Sequence, residues 1–196
     1  IYNQTLRPNE IVLVKDGVLG DELNHIIDRE RSRYKNTYTQ FICIQLSKNM
    51  GLGTALQAGL KKCRYDYVLR MDTDDIAVSD RFETQIKYMS DHPHVSVVGG
   101  YIGEFITENV IIRVKSMPLK HRELYKYGKY RNPLNHMTVC FKKKDIMAVG
   151  GYKPLNGLED YYLWSRVIVN GYTVANIDKV LVYARLSNFE ASRGGI

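Results

Sequence analysis

From Glu10 onward, short apolar runs alternate with segments of helical spacing. Glu10 to Val14 is a β-branched run that stops at the turn signal Lys15-Asp16-Gly17, which predicts a strand with Asp16 at its carboxyl end. Leu23, Ile26 and Ile27 recur at helical spacing, with Leu19 just ahead, and predict a helix over about 21–31. Phe41 to Leu46 predicts a second strand, closed by Ser47-Lys48-Asn49-Met50-Gly51. Leu52, Ala55, Leu56, Gly59 and Leu60 then fall on one face of a helix. Residues 67 to 71 predict a third strand that runs straight into Asp72, Asp74 and Asp75.

This βαβαβ order with short connections predicts a parallel sheet with right-handed crossovers. Three successive strands then place polar ends on one edge, carrying Asp16, Lys48 with Asn49, and Asp72 with Asp74. In open α/β sheets that edge is where ligands bind.

Further along, Asp80-Arg81-Phe82-Glu83 has capping-box spacing ahead of a helix with Phe82, Ile86 and Met89 on its buried face, ending near 91–93. Val95 to Val98 reads as a strand closed by Gly99-Gly100, and Glu104 to Lys115 as a hairpin around Thr107 to Asn109. Leu119 to Tyr127 predicts a helix, residues 132–136 an extended or looped stretch, Thr138 to Phe141 a strand, and Lys143 to Val149 a short helix ended by Gly150-Gly151. Tyr162, Leu163, Trp164, Val167 and Ile168 predict a helix that Asn170-Gly171 stops, and Val180 to Ala184 a last strand. Glu159 and Asp160 occupy the first turn of that helix, where its dipole favours negative charge. Asp160 also shares a face with Trp164 and Val167, which turns its carboxylate inward.

At 196 residues and 44% hydrophobic content the chain matches one α/β domain with one sizeable core. No apolar run reaches the length of a membrane span, and no charged-then-apolar leader opens the sequence. Cys43, Cys63 and Cys140 are an odd number at unrelated spacings, as expected of buried thiols in the cytoplasm rather than of a disulfide framework or zinc site. The net charge of +7 is concentrated in Lys142-Lys143-Lys144 and in residues 113 to 131, where Tyr125, Tyr127 and Tyr130 are interleaved. Such a surface suits a polyanion, an anionic membrane or a substrate diphosphate, and equally a solvated face.

Three carboxylates within four residues repel one another unless a cation or hydrogen-bond donors compensate, and a hard ion such as Mg²⁺ or Mn²⁺ takes such oxygen ligands. A solvated acidic loop capping the next helix is the alternative. No G-x-G-x-x-G or P-loop pattern is present to cradle phosphate.

In order along the chain stand Asn3-Gln4-Thr5-Leu6 with Pro8, Glu10 to Val14, Asp16-Gly17, Asn49 with Gly51-Leu52 and Ala55-Leu56, and Arg70-Met71-Asp72-Thr73-Asp74-Asp75-Ile76 with Arg81. His136, Gly150-Gly151-Tyr152 and Glu159-Asp160-Tyr161-Tyr162-Leu163-Trp164 follow. This set resembles the family-2 inverting glycosyltransferases of the A-type nucleotide-sugar fold, especially bacterial ones that build surface polysaccharides, and the likeness covers nearly the whole chain. The resemblance implies a single-domain Rossmann-like α/β fold with a mostly parallel central sheet flanked by helices. Its nucleotide half would be about 1–100 and its acceptor half about 101–196.

The resemblance also implies roles. Asp16 would bond the nucleotide base, Asn49 would lie near base and ribose, and Asp72 and Arg70 would meet the donor's ribose and diphosphate. Asp74, with Asp72, would hold Mn²⁺ or Mg²⁺. Asp160 would be the general base that activates an acceptor hydroxyl, with Glu159, Trp164 and His136 on the acceptor side. The partners implied are a nucleoside-diphosphate sugar, with UDP foremost and dTDP and GDP open, and a saccharide or lipid-linked acceptor. Nucleic acid is not expected; peripheral association with the inner face of the cell membrane is. Arg185 and Arg193 are further candidates for phosphate.

The sequence departs from the family pattern in three places. The expected first strand and loop would lie upstream of Ile1, the usual acidic pair is Lys15-Asp16, and the usual proline after the D-x-D is Ser79. A sugar-nucleotide nucleotidyltransferase and a non-enzymatic module for polyanions or membranes remain the competing readings, and neither uses Asp160.

Overall fold

The computed structural model describes residues 1–107 and 110–186. Its first half follows the apolar pattern closely. Strand β1 (Glu10–Lys15), helix α1 (Asp21–Arg33), strand β2 (Gln40–Gln45), helix α2 (Leu52–Lys62) and strand β3 (Tyr67–Leu69) appear in the expected order, and β1 pairs with β2 in parallel. Gly59 lets α2 lie close on β1, since a Cβ there would stand 3.0 Å from Val14 Cγ2.

The third strand departs from expectation. It ends at Leu69, and among the described residues it pairs with β7 (Cys140–Lys142) rather than with β1 or β2. Helix α3 (Arg81–Asp91) follows the short strand β4 (Ile76–Ala77), and β5 is an eleven-residue strand, Val95–Phe105. The path of the larger sheet is β3-β7-β5-β8-β4, with β6 (Ile111–Lys115) on β5 and β8 spanning Thr173–Arg185. Of these ladders β5–β8 is parallel, whereas β3–β7, β5–β7, β5–β6 and β4–β8 are antiparallel. The sheet is therefore mixed rather than mostly parallel, because β7 enters between β3 and β5 in the opposite direction.

Strand β5 passes through Gly99-Gly100 where the sequence suggested a stop. The pair supplies space instead of a turn. A Cβ on Gly100 would lie 2.5 Å from Leu181 Cδ1, and one on Gly99 would lie 2.5 Å from the Asn176 side chain. Likewise Asp80 makes no capping bond to α3; its carboxylate pairs with Lys179 on β8.

Helices α4 (His121–Tyr127), α5 (Lys143–Ala148) and α6 (Glu159–Val169) follow, with a 3-10 turn at His136–Thr138. The main core gathers Trp164, Leu163 and Val167 of α6 with Phe141, Val97, Leu124 and Ile146, all essentially removed from water. A second cluster, with Met89, Val98 and Cys140, lies under α3. The expected turn residues Glu108 and Asn109, and Arg193, lie outside the described residues.

Candidate active site

Asp16, just past β1, receives two backbone N–H groups from the turn after β2. Met50 N donates to Oδ1 at 2.7 Å and Gly51 N to Oδ2 at 3.0 Å. Gly51 N also reaches Asn49 Oδ1 at 3.1 Å. The sequence places Asp16 and Asn49 on one sheet edge, but does not show that Asp16 ties down the turn carrying Asn49. The approach is close enough to require Gly17: its φ is +106°, and a Cβ there would lie 2.8 Å from Asn49 N. A carboxylate has about four acceptor sites, so Asp16 keeps capacity for a ligand.

The second cluster forms where β3 ends. Arg70, buried, pairs with Asp72 through Nη1. Arg81 is wholly buried at the start of α3 and donates to Arg70 O at 2.7 Å, Gln85 Oε1 at 2.9 Å and Met71 Sδ at 3.0 Å. Gln85 Nε2 in turn reaches Thr138 O at 2.8 Å and Val98 O at 3.1 Å. The backbone that presents the carboxylates is thereby fastened to β5 and to the turn ahead of β7. Burial lowers the Arg81 guanidinium to about 10, within the range where it keeps its charge at neutral pH.

Asp75 Oδ1 accepts the Arg185 N–H at 3.0 Å, while Oδ2 is buried with no hydrogen-bond partner. Burial pushes the Asp75 carboxyl up to about 6, with the charges of Asp72 and Asp74 adding to the rise. Protein cations therefore offset part of the charge that suggested a metal, leaving Asp74 exposed to solvent.

On the facing side, α6 begins with Glu159 and Asp160. The Asp160 side chain is 16% exposed and thus points inward, as its spacing to Trp164 and Val167 predicts. Asn132 Nδ2 donates to Asp160 Oδ2 at 2.6 Å, and Tyr161 N donates to Oδ1 at 2.7 Å. His136 Nδ1 lies 4.0 Å from Asp160 Oδ2, and its Nε2 meets the Tyr152 hydroxyl at 3.0 Å. Burial raises the Asp160 carboxyl above its ordinary range; the bonds from Tyr161 and Asn132 oppose that shift, and Arg70 also holds it down. His136 is pushed well below its ordinary value by burial and then by Arg70, so it is neutral. Its ring stands edge-on to Trp164 at 6.0 Å. Trp164 is fully buried, with its indole N–H unpartnered, and Glu159 is buried at the first turn of α6, where its Cβ lies 3.2 Å from where a Cβ on Gly53 of α2 would be.

Arg70 thus belongs to both sides, pairing with Asp72 and acting electrostatically on Asp160 and His136. Helix α2 ties the halves mechanically, since Gln57 Oε1 accepts the Tyr152 N–H at 2.7 Å. Asn132 and Gln57 carry no sequence signal of their own: one sits in a stretch read as loop, the other on the polar side of an amphipathic helix. Tyr152 is visible only as part of Gly150-Gly151-Tyr152.

Residues 1–148 match the model of the glycosyl transferase family 2. The chain belongs to that family. It is 40% identical over 185 residues to the amylovoran biosynthesis glycosyltransferase AmsE of Erwinia amylovora, covering 94% of this chain and 67% of that protein. It is also 40% identical over 199 residues to the Escherichia coli UDP-Gal:alpha-D-GlcNAc-diphosphoundecaprenol beta-1,3-galactosyltransferase, covering all of this chain and 69% of the relative. Among solved structures, the Pyrobaculum calidifontis mannosyltransferase PcManGT in complex with GDP-Man and Mn²⁺ superposes with a TM-score of 0.70 at 16% identity. That match covers 95% of this chain and 51% of the mannosyltransferase.

The chain therefore spans about two thirds of the length of these sequence relatives and about half that of the solved structure. The fold is that of the A-type nucleotide-diphospho-sugar transferases, and the close relatives are bacterial polysaccharide glycosyltransferases. No helix among the described residues is long and apolar enough to cross a membrane.

Among the described residues no three His, Cys, Asp or Glu side chains converge as a metal cage. Asp72 and Asp74 supply only hard oxygen donors, and the buried Oδ2 of Asp75 lies in the same loop without a partner. This set suits a hard divalent ion that takes most of its ligands from substrate phosphate and water.

Proposed function

We propose that the chain moves a sugar from a nucleoside-diphosphate sugar, UDP-linked foremost, to a hydroxyl of a saccharide or lipid-linked acceptor, inverting the anomeric carbon, in bacterial surface polysaccharide synthesis. The observation that carries this reading is the setting of Asp160: a carboxylate only 16% exposed, held on both oxygens, raised by burial, and within electrostatic reach of Arg70. A solvated helix-capping acid would accept a first-turn N–H as Asp160 does, but would not be largely buried or raised.

In this reading residues 1–100 bind the donor. Asp16 and Asn49 meet the base and ribose, and Arg70 and Asp72 the ribose and diphosphate. Asp72 and Asp74 hold Mn²⁺ or Mg²⁺, which when bound offsets the charge that develops on the departing diphosphate. Residues 101–196 bind the acceptor. Asp160 takes the proton of the attacking hydroxyl, and Asn132 and the Tyr161 N–H fix the lone pairs that do so. Neutral His136, braced by Tyr152, borders the hydroxyl's path with Trp164 and Glu159 without competing for the proton. General-base assistance of this kind contributes about 10²- to 10⁴-fold in rate.

The relatives support a lipid-linked acceptor, since one is named for transfer to a diphosphoundecaprenol-linked sugar. Incubation with UDP-α-sugars and acceptor, with NMR of the product, tests the proposal. A β-linked product and released UDP are expected. Retention of the α configuration, or release of pyrophosphate, would refute it.

A further inference from the structure

We propose that Tyr152 is a positioning residue that holds His136 in its Nδ1–H tautomer, and that this N–H binds the oxygen of the acceptor hydroxyl while Asp160 takes the proton. This deepens the transferase reading and rests on it for the identity of the hydroxyl. Gly150-Gly151-Tyr152 thereby acquires a part in the reaction.

The turn that carries Tyr152 is held by two helices. Arg166 of α6 donates through Nη2 to Gly151 O at 2.6 Å and through Nη1 to Val149 O, with its guanidinium 4.5 Å from the Tyr162 ring centroid. Gln57 of α2 accepts the Tyr152 N–H at 2.7 Å, an approach that requires glycine at 151, where a Cβ would lie 2.1 Å from Gln57 Oε1. Tyr152 itself is buried in the main core. Its hydroxyl makes one hydrogen bond among the described residues, to His136 Nε2 at 3.0 Å. Burial pushes that hydroxyl up, so it stays protonated at neutral pH. A fixed turn therefore delivers one O–H to one imidazole nitrogen.

A neutral imidazole has one N–H and one lone pair, and the partner of one nitrogen decides which is which. With the proton on Nε2, His136 would donate to Tyr152, and the tyrosine's own hydrogen would be buried without an acceptor, an uncompensated loss. Nδ1 would then hold a lone pair 4.0 Å from Asp160 Oδ2, negative against negative. With the proton on Nδ1 both conflicts vanish. Tyr152 donates to Nε2, and an N–H lies on the Asp160 side of the ring.

At 4.0 Å, Nδ1 and Oδ2 are too far apart to bond each other. Among the described residues Nδ1 makes no hydrogen bond, and Oδ2, which accepts from Asn132, keeps a second lone pair. An oxygen about 2.8 Å from each atom would subtend an angle of roughly 90° between them, which a hydroxyl accommodates as acceptor toward one and donor toward the other. The acceptor hydroxyl in that place gives its proton to Asp160 Oδ2 and keeps one lone pair on Nδ1–H. The other lone pair forms the bond to the anomeric carbon as the bond to the diphosphate breaks, its electron pair leaving with the diphosphate. His136 has no lone pair on that side, so the proton goes to Asp160.

A His–Tyr pair that only fills the core is the alternative. The test is ¹⁵N NMR of the full chain labelled at its five histidines, without donor or acceptor, the His136 signals being those missing from His136→Asn. Wild type is expected in the Nδ1–H form. In Tyr152→Phe the Nε2 signal should move downfield, as loss of an O–H donor to its lone pair requires. In transfer assays, His136→Phe, which keeps a ring but loses the N–H, should lower kcat about 10-fold or more. His136→Asn, whose amide N–H can reach the Nδ1 position, should keep most of the rate; steric support alone would reverse that order. The Nε2–H form in wild type, an Nε2 signal that ignores Tyr152→Phe, or a Phe variant more active than the Asn variant overturns the proposal. The tautomer is read without substrates, so the two failures are distinct. Wild type that shows Nδ1–H but transfers no sugar refutes the transferase reading and with it the bound hydroxyl, whereas Nε2–H in an active wild type refutes this inference alone.

Discussion

Asn132 Nδ2 donates to Asp160 Oδ2 at 2.6 Å, so a residue 28 positions earlier holds the carboxylate that would serve as base. That bond stabilises the ionised form and counters the burial that raises the Asp160 carboxyl. Asn132→Ala should therefore move the acid limb of the kcat/KM profile to higher pH, leaving donor binding as it is. A profile that falls in rate without moving along the pH axis would show that Asn132 acts only on structure.

Asp160→Asn should remove about 10²- to 10⁴-fold of kcat while nucleotide affinity, read by titration, stays near wild type. Full activity of this variant on a defined acceptor would exclude Asp160 as the base.

Stability should respond to pH with a definite sign. The folded-state value of Asp160 is raised above its unfolded value, so the folded chain binds the extra proton. The contribution of Asp160 to stability is then fully present below the unfolded value and is lost as pH rises through the folded one. The melting temperature of Asp160→Asn minus that of wild type should grow across that window. A difference that stays flat, or shrinks, would contradict the assigned direction.

Gly17→Ala places a side chain at φ +106°, with its Cβ 2.8 Å from Asn49 N. The substitution should destabilise the chain by about 1–3 kcal/mol and weaken nucleotide affinity by disturbing the Met50–Gly51 turn that Asp16 holds. Chemical denaturation and nucleotide titration of the same variant check both parts. Unchanged nucleotide affinity would detach this turn from the donor site.

Much of the fold was legible because burial imposes period on sequence. The spacing of Leu52, Ala55, Leu56, Gly59 and Leu60 could only be one face of a helix, and Asp160 was turned inward by its distance from Trp164 and Val167 along α6. What the sequence concealed depended on contacts between distant residues. Gly99-Gly100 looks like a strand terminator until Leu181 and Asn176 are seen to fill the space a Cβ would need. Asp80 looks like a helix cap until Lys179, 99 residues away, takes its carboxylate. The pairing of β3 with β7 depends on which strand enters the sheet and in which direction, and no local pattern encodes that. In the candidate site the motif carboxylates were legible, whereas Asn132, Gln57 and buried Arg81 gain their parts only from the folded chain.

The most direct measurement is isothermal titration of UDP, GDP and dTDP into the protein with Mn²⁺ and with EDTA, alongside Asp74→Ala. The account predicts metal-dependent binding of one nucleotide, UDP foremost, that EDTA and Asp74→Ala both abolish or weaken about 10-fold or more. Binding that is indifferent to metal and to Asp74, or none for any of the three nucleotides, would contradict it.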